Sequence, residues 1–242
     1  MDFETEQMIR YYAPFSAVVD IDGTFNPKTG RFWQVQDAIN AGHNEIFIRS
    51  GTYAAFSLTS GRIYHIRGCG ADTIIDGGIA SHAIAVPTNL SLVENLAAKT
   101  TSGGGQAYDC IYDSGGINTY RRIRVNSSDR HAFNMAGSLS LIDDCKLYGG
   151  TGIDQAAIYA TAQVSVSNVY IGSCGANGID LQGTADNSVI TGTFVNSITG
   201  TGILIDLDAE NCVVVGNRVT GCSVANITDN SGTSTVTGND AT

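Results

Sequence analysis

A pair of neighbouring residues, the first small and the second large and apolar, recurs along the last two-thirds of the chain. The large members are separated by 27, 22, 25, 21, 24 and 24 residues. The pairs are Ala83-Ile84, Cys110-Ile111, Ala132-Phe133, Ala157-Ile158, Gly178-Ile179, Gly202-Ile203 and, as a weaker last copy, Asn226-Ile227. Self-similarity at a nearly constant spacing predicts a repeat architecture in which each copy packs against its neighbours.

Two further short apolar runs follow each pair, as in Val164-Ser165-Val166 and Val169-Tyr170-Ile171. Alternation over so few residues predicts strands, because an amphipathic helix needs a longer period. Stacked copies of three strands give parallel sheets around one continuous core. A leucine-rich repeat would put a helix in each copy, and a propeller blade would need about 40 residues. We therefore predict an all-β, right-handed parallel β-helix with coils of 21 to 27 residues.

Polar residues precede the third run of several copies, at Asn95, Asp144, Asn168 and Asn217. Asn and Asp tolerate left-handed backbone and bond to their own chain. Stacked from coil to coil, they predict a ladder of side chains at one turn. Ordinary turn composition is the alternative interpretation.

The segment before the repeats predicts a capping unit. Val35, Ala38 and Ile39 lie at helical spacing within Trp33 to Ala41, and Gly42 is placed to end the helix. A solenoid needs such a unit to cover the open end of its core. We predict one β-helix domain over residues 18–242, with a cap at 18–60 and coils at 61–242.

Residues 1–17 carry aromatic side chains at Tyr11, Tyr12 and Phe15, which is unusual for a free terminus. We predict that this segment docks on a partner. At the other end, Thr235 to Thr242 shows no capping unit, and an uncovered core predicts a homo-oligomer, most plausibly a trimer.

Charge and composition narrow the partners. The net charge is −10, with only 13 Lys and Arg residues and no run of them, which argues against nucleic acid. The start of the chain lacks the charges and the apolar run of a signal peptide, and no stretch approaches a transmembrane span. The sequence predicts synthesis in a cytoplasm without export by that route, and no insertion into a membrane.

Six cysteines are scattered without metal-ligand spacing, so we predict small buried residues and no metal or other cofactor. They are Cys69, Cys110, Cys145, Cys174, Cys212 and Cys222. Disulfides are the alternative if the protein matures in an oxidising compartment.

The stretch DGTFNPKTGRFWQVQDAINAGHNEIFIRSGTY, residues 22–53, resembles the start of the pectin-lyase-like β-helix superfamily. The resembling features are a DGT, a helix with Q-x-A-I-N-A and a strand ending in GTY. With the repeats, the likeness covers about residues 18–239. It implies the fold, but several functions, because that superfamily includes pectate lyases, polygalacturonases, pectin esterases, epimerases and the tail spikes and fibres of bacteriophages.

The catalytic sets of these enzymes are incomplete in this chain. Of the polygalacturonase-like motifs, only the D-D has a counterpart, at Asp143-Asp144. Gln106-Ala107 and the stretch Tyr148 to Gln155 resemble two pectin esterase motifs, and the third is missing. The carboxylate cluster that would hold calcium in a pectate lyase is not apparent.

Strand alternation predicts an outward column formed by the residue after each large apolar one. This column is Tyr112, Asn134, Tyr159, Asp180 and Leu204. Aromatic rings beside amide and carboxylate groups suit a sugar, so we predict that the first four bind carbohydrate. A solvated surface and a subunit contact are the alternatives.

The turn Ser128-Asp129-Arg130-His131 lies beside this column and could supply an acid, a base and an anion holder. We nevertheless favour a surface turn and no catalysis. If the protein is an enzyme, the candidate catalytic residues are Asp129, His131 and Asp180. No role is assigned to His43, His65 or His82.

Three hypotheses of function follow. The first is a virion protein of a phage, a tail spike, fibre or surface projection, that contacts host polysaccharide and joins other virion proteins through its N-terminal segment. The second is a polysaccharide lyase or glycoside hydrolase. The third is a secreted adhesion or carbohydrate-binding module.

Overall fold

The large apolar residues of the repeated pairs lie one above another in one parallel sheet, which we name sheet 1. The structure is a computed structural model and describes residues 15–101, 107–148 and 155–242. Ile158 pairs with Phe133 on one side and with Ile179 on the other, and all three side chains are fully buried. The predicted register is therefore confirmed.

Among the described residues, sheet 1 has eight short strands, one for each of its coils. Their bounds are Phe56–Ser57, Ile84–Val86, Ile111–Asp113, Phe133–Met135, Ile158–Ala162, Ile179–Thr184, Thr201–Ile205 and Ala225–Asp229.

The other 18 strands form a second hydrogen-bonded system that covers two faces, which we name sheets 2 and 3. They are continuous because Leu92–Lys99 and Thr119–Ser127 bend and contribute to both. Sheet 2 also contains Ala17–Val19, Arg31–Phe32, Glu45–Ile48, His65–Gly68, Ser140–Asp143, Val164–Ser167, Val189–Thr191, Val213–Val215 and Thr235–Thr237. Sheet 3 also contains Gly51–Ala54, Thr73–Asp76, Lys146–Tyr148, Tyr170–Gly172, Phe194–Asn196, Arg218–Thr220 and Asp240–Ala241.

The three sheets enclose one core in which like positions of successive coils pack together. Ile142, Val166 and Ile190 form such a column from sheet 2, and each is completely buried. Burying one such side chain stabilises the fold by about 1.5 to 3 kcal/mol. All assigned strand pairings between coils are parallel, and the chain is a right-handed parallel β-helix, as the repeats predict.

The capping helix is shorter than predicted, at Val35–Asn40, and it buries Val35, Ala38 and Ile39 as expected. Gly42 follows it with a φ of 92° and donates its amide to the Ile39 carbonyl, which ends the helix. The Gln36 side chain accepts a hydrogen bond from the Ser57 amide, so the helix is tied to the first coil. A single 3-10 turn, Pro27–Thr29, precedes it.

The left-handed backbone expected at the bend between sheets 2 and 3 is confirmed at three of the four positions, but Arg122 takes the bend between Asn95 and Asp144, so the four side chains do not stack as one ladder. Asn95, Asp144 and Asn168 have φ values of 58°, 50° and 54°. In the later coil the left-handed residue is Gly216, with a φ of 67°. Asn217 is buried instead, and its side chain donates to the Ile190 carbonyl, because glycine takes the bend at lower cost.

The N-terminal docking segment lies mostly outside the described residues. Phe15 belongs to them, and its ring packs against Phe47 and His65, at 5.7 and 4.9 Å between ring centres. Within the described ranges, no helix has the length and apolar character needed to cross a membrane.

The expectation of buried cysteines is confirmed for four of the six and wrong for Cys69, which is exposed in the turn after a sheet 2 strand. Cys222 is half-buried. Burial raises the pKa of Cys110 and Cys145 to about 12, so both thiols stay protonated at neutral pH.

Candidate functional site

The outward column of sheet 1 has the predicted register, but Asn134 is buried, at 8% exposure, and not open to a ligand as predicted. Tyr112 pairs with Asn134, Asn134 with Tyr159, Tyr159 with Asp180, and Asp180 with Leu204. Parallel strands lie about 4.8 Å apart, so these five residues cross a strip roughly 19 Å long.

A second column runs beside the first and was not predicted. It consists of the residue before each small–large pair, which is His82, Asp109 and His131 in three successive coils. The His82 ring stacks on Tyr112, with ring centres 4.8 Å apart and planes 17° from parallel. The His131 ring stacks on Tyr159 in the same way, at 4.7 Å and 14°.

Asp109 is the centre of this arrangement, and its side chain is 0% exposed. Arg130 grips its carboxylate with two hydrogen bonds, Nε to Oδ1 at 2.8 Å and Nη2 to Oδ2 at 2.5 Å. The His131 amide donates to Oδ1 at 3.2 Å, and the Asn134 side chain donates to Oδ2 at 3.0 Å. Four donors from the next coil therefore compensate one buried charge. We name Asp109, Arg130, His131, Asn134 and His82 the Asp109 cluster.

His131 is 4% exposed and holds its neutral form in one tautomer. Its Nδ1 lies 3.0 Å from the Ala156 carbonyl oxygen, which can only accept, so Nδ1 carries the proton. Nε2 then bears a lone pair, and no described residue hydrogen-bonds to it. Burial lowers the pKa of His131, and Arg130 lowers it further, while Asp109 and Asp180 oppose this. His131 is therefore an unprotonated base at neutral pH.

His82 is neutral for a related reason. The Asp109 amide donates to His82 Nδ1 at 3.1 Å, which requires a lone pair on that atom, and burial lowers the pKa of the ring. The approach of Nδ1 to the Asp109 carboxylate, at 3.4 Å, is thus a contact and not an ion pair. His82 packs the far side of the cluster.

The two other carboxylates proposed from the sequence have different roles. Asp180 is the fourth residue of the strip, and its oxygens accept hydrogen bonds from the Asn177 and Gln182 side chains at 2.9 and 2.7 Å. Asp129 accepts from the Tyr108 amide at 3.3 Å, which holds the turn. Asp180 is near enough to act on the His131 charge, whereas Asp129 has a structural contact.

The interpretation of residues 128–131 as a surface turn is wrong for its first and last members, because Ser128 and His131 are buried, and Arg130 is anchored to Asp109. Sequence reasoning also left His82 without a role and omitted Asp109. The motif comparison at Gln106 and at residues 149–154 lies outside the described residues. In the part of the chain that is described, no three His, Cys, Asp or Glu side chains are arranged to hold a metal ion.

A pH dependence follows from the two neutral histidines. Their folded pKa values lie below the unfolded value of about 6.5, so the folded state binds fewer protons than the unfolded state. Their contribution to stability is complete above about pH 6.5 and is lost as the pH falls through the lowered folded values. We expect the free energy of unfolding to decline as the pH falls below about 6.5, and His131→Gln to weaken that decline. Urea titrations at several pH values measure it.

The matched control is His43→Gln, because His43 lies on the capping unit and bonds to Ser16. An unchanged pH dependence in His131→Gln, or an equal change in the control, would contradict a buried neutral His131.

The right-handed parallel β-helix of this chain recurs in solved structures of low sequence identity. A pectin methylesterase from Aspergillus niger has a TM-score of 0.63 at 12% identity, over 89% of this chain and 80% of that one. The pectate lyase Pel9A has 0.57 at 14%, over 93% and 78%. The carrot pectin methylesterase has 0.57 at 16%, over 85% and 63%.

These identities are low, so the likeness defines the fold and not the activity. No family model matches the chain, and no curated protein matches it in sequence. The function must therefore be argued from the Asp109 cluster.

Proposed function

We propose that the protein is an enzyme that acts on an acidic polysaccharide laid across sheet 1. The observation that supports this most is the buried Asp109, which orders the partly exposed Arg130 and the buried His131 beside the outward column of sheet 1. A buried ion pair gives little net stability, since desolvation offsets the attraction. Such a cluster is better explained as the preorganisation of functional groups than as a contribution to folding.

Arg130 is the group that would recognise acidic sugar. The buried Asp109 carboxylate holds the guanidinium through two hydrogen bonds, and 30% of the Arg130 side chain remains exposed. A planar guanidinium with free N–H groups matches a carboxylate better than any other side chain. The hydrogen bond with Asp109, followed by its charge, raises the pKa of Arg130, so the cation persists at every relevant pH.

Tyr112 and Tyr159 would hold the sugar rings on either side of this cation. They are half-buried and separated by two strand spacings, roughly 10 Å. Each ring is held in place by its stacked histidine, so little conformational freedom is lost on binding. An aromatic ring packs against the apolar face of a sugar while its hydroxyl remains free to hydrogen-bond.

The geometry favours elimination. Nε2 of His131 would accept the proton on the carbon next to the sugar carboxylate, whose charge Arg130 neutralises. The carbon–oxygen bond to the neighbouring sugar then breaks and a carbon–carbon double bond forms. The departing oxygen takes a proton from the hydroxyl of Tyr159, which stacks on His131.

Hydrolysis by two carboxylic acids fits less well. Asp109 is saturated by its four donors, and Asp180 lies three strand spacings away, roughly 14 Å. Hydrolytic pairs are separated by about 5 to 9.5 Å. The similar structures include enzymes named for pectin and pectate, and this supports an acidic polysaccharide as the substrate class.

Binding can be tested at the tyrosines. We expect Tyr112→Ala with Tyr159→Ala to weaken binding to an acidic polysaccharide by about 1 to 3 kcal/mol, because two stacking surfaces are lost. The control is Tyr148→Ala with Tyr170→Ala, two neighbouring aromatic residues on sheet 3. Affinity electrophoresis with a panel of neutral and acidic polysaccharides measures both. A larger loss in the control would move the site to sheet 3.

Activity can be tested with the same panel by size-exclusion chromatography. Wild type should shorten at least one acidic polysaccharide and leave neutral ones intact, and Arg130→Gln should lose that discrimination. Binding of the panel without any shortening would instead favour a glycan-binding protein that does not cut.

A glycan-binding role without cleavage is the second candidate, favoured because Asp109 and Asp180, the two carboxylates considered among the described residues, are too far apart to form a hydrolytic pair. The virion location, the trimer, the contact with other virion proteins and the secreted module stay predictions. Mass spectrometry of purified phage particles would test the first of them.

A further inference from the structure

Four large apolar side chains form an exposed row along the turn between sheets 1 and 2. Ile63, Leu90, Ile117 and Leu139 are 57%, 55%, 48% and 55% exposed. They are level with one another, because Leu90 donates its amide to Gly116, Ile117 to Ser138 and Leu139 to Gln163, each in the next coil. Ile63 joins the row since His65 pairs with Leu92. We name these four residues the apolar row.

The backbone conformation of three residues of the row is one that large apolar residues rarely adopt, so the row is unusual for a protein surface. Leu90, Ile117 and Leu139 have φ values of 62°, 56° and 64°, which is left-handed backbone. A β-branched residue such as Ile117 is a true outlier there. The same turn in later coils carries Asn187 and Asn211, with φ values of 58° and 57°. Asparagine is a residue that adopts left-handed backbone readily.

The turn therefore does not require apolar residues, and only the early coils have them. We propose that the apolar row is the docking surface for residues 1–14 of the same chain, MDFETEQMIRYYAP. This segment lies outside the described residues and is rich in apolar side chains, namely Phe3, Met8, Ile9, Tyr11 and Tyr12.

The position of the first described residue supports this occupant. Phe15 lies two residues before Ala17, and Tyr64 lies two residues before Ile66. Ala17 and Ile66 both pair with Ile46, so Phe15 and Tyr64 occupy the same position along their strands. The Phe15 ring packs on His65, so residue 15 lies close to the strand that follows Ile63. The strand of Ala17 is two strand spacings from that of Ile66, and the row extends three spacings further, so its far end at Leu139 is roughly 24 Å away. Fourteen extended residues, at about 3.3 Å each, reach that far.

The surroundings of the row suit a short acidic segment. A pocket of about 250 Å³ lies between Ile63 and Leu90 and is lined in part by Arg62 and Pro87. Three acidic residues of the segment, Asp2, Glu4 and Glu6, could meet that cation. Four half-exposed side chains offer roughly 400 Å², about half of what one partner buries in a stable dimer. A peptide of the chain itself fits this area better than a second copy.

Hydrogen–deuterium exchange on the full chain tests the proposal. In wild type, amides of residues 3–13 should exchange at least about tenfold more slowly than in Leu90→Asn with Ile117→Asn. Asn suits the left-handed turn, so this variant should keep its coils. Gln163→Asn, the next position along the same turn, should leave the exchange unchanged.

A second variant changes the segment and no described residue. Ile9→Ser with Tyr12→Ser should accelerate exchange of residues 3–13 by a similar factor. Equal exchange in wild type and in both double variants would overturn the proposal. Sedimentation of the same samples should show one oligomeric state throughout, and an oligomer that dissociates only in Leu90→Asn with Ile117→Asn would instead assign the row to a second copy.

Discussion

Asp109→Asn is expected to reduce the rate of polysaccharide cleavage by at least about 100-fold, because Arg130 and His131 would lose the group that positions them. The variant replaces a buried carboxylate that accepts two hydrogen bonds from Arg130 with an amide that accepts through one oxygen. We also expect it to lower the free energy of unfolding by about 2 to 4 kcal/mol. Initial rates and urea unfolding measure the two effects.

The matched control is Asp143→Asn. Asp143 also faces an arginine, Arg121 at 3.3 Å, but on a more exposed face. Hydrogen bonds from Ser167 and Asn168 lower the pKa of Asp143, and its loss should cost about 1 kcal/mol or less without changing the rate. If Asp109→Asn kept full activity, the cluster would not be the active site.

Truncation of Ile158 is expected to have the largest effect on stability. The side chain is fully buried between Phe133 and Ile179 of the neighbouring coils, and Ile158→Ala should cost about 2 to 5 kcal/mol. Ile179→Ala should behave alike, because it occupies the same position one coil later. Thermal and urea unfolding measure both variants.

Leu204→Ala is the control on the opposite side of the same sheet. Leu204 points outward and is half-buried, so its truncation should cost well under the core value. Equal losses at Ile158 and Leu204 would mean that the inner and outer faces are assigned the wrong way round.

The fold could be predicted because it follows from local alternation repeated at a nearly constant spacing. The pairs from Ala83-Ile84 to Gly202-Ile203 fix which residues are inside, and stacking then fixes the register. The error at Asn217 arose because both Gly216 and Asn217 suit a turn, and only the contact of Asn217 with the Ile190 carbonyl decides between them.

The site could be predicted only in part. The column from Tyr112 to Asp180 follows from alternation, and its register is as expected. A signal for the second column was also present, since His82 and Asp109 directly precede the small–large pairs. The hydrogen bonds from Arg130 to Asp109 were not predictable from the sequence. The two residues are 21 positions apart, and Arg130 lies in a bend of irregular backbone.

The same irregular backbone made the burial of His131 impossible to predict from the sequence. Sequence places this residue beside a turn, where imidazoles are usually exposed. Its burial depends on the Tyr159 ring and the Ala156 carbonyl from the following coil. These contacts bury the His131 ring and fix its orientation and tautomer.

The masses of the oligosaccharides released from an acidic polysaccharide test the central claim most directly. Elimination at the Asp109 cluster predicts that wild type gives products whose new non-reducing ends lack the elements of one water molecule, and that His131→Ala gives none. Products that have gained water in wild type, or identical products from wild type and His131→Ala, would contradict the account.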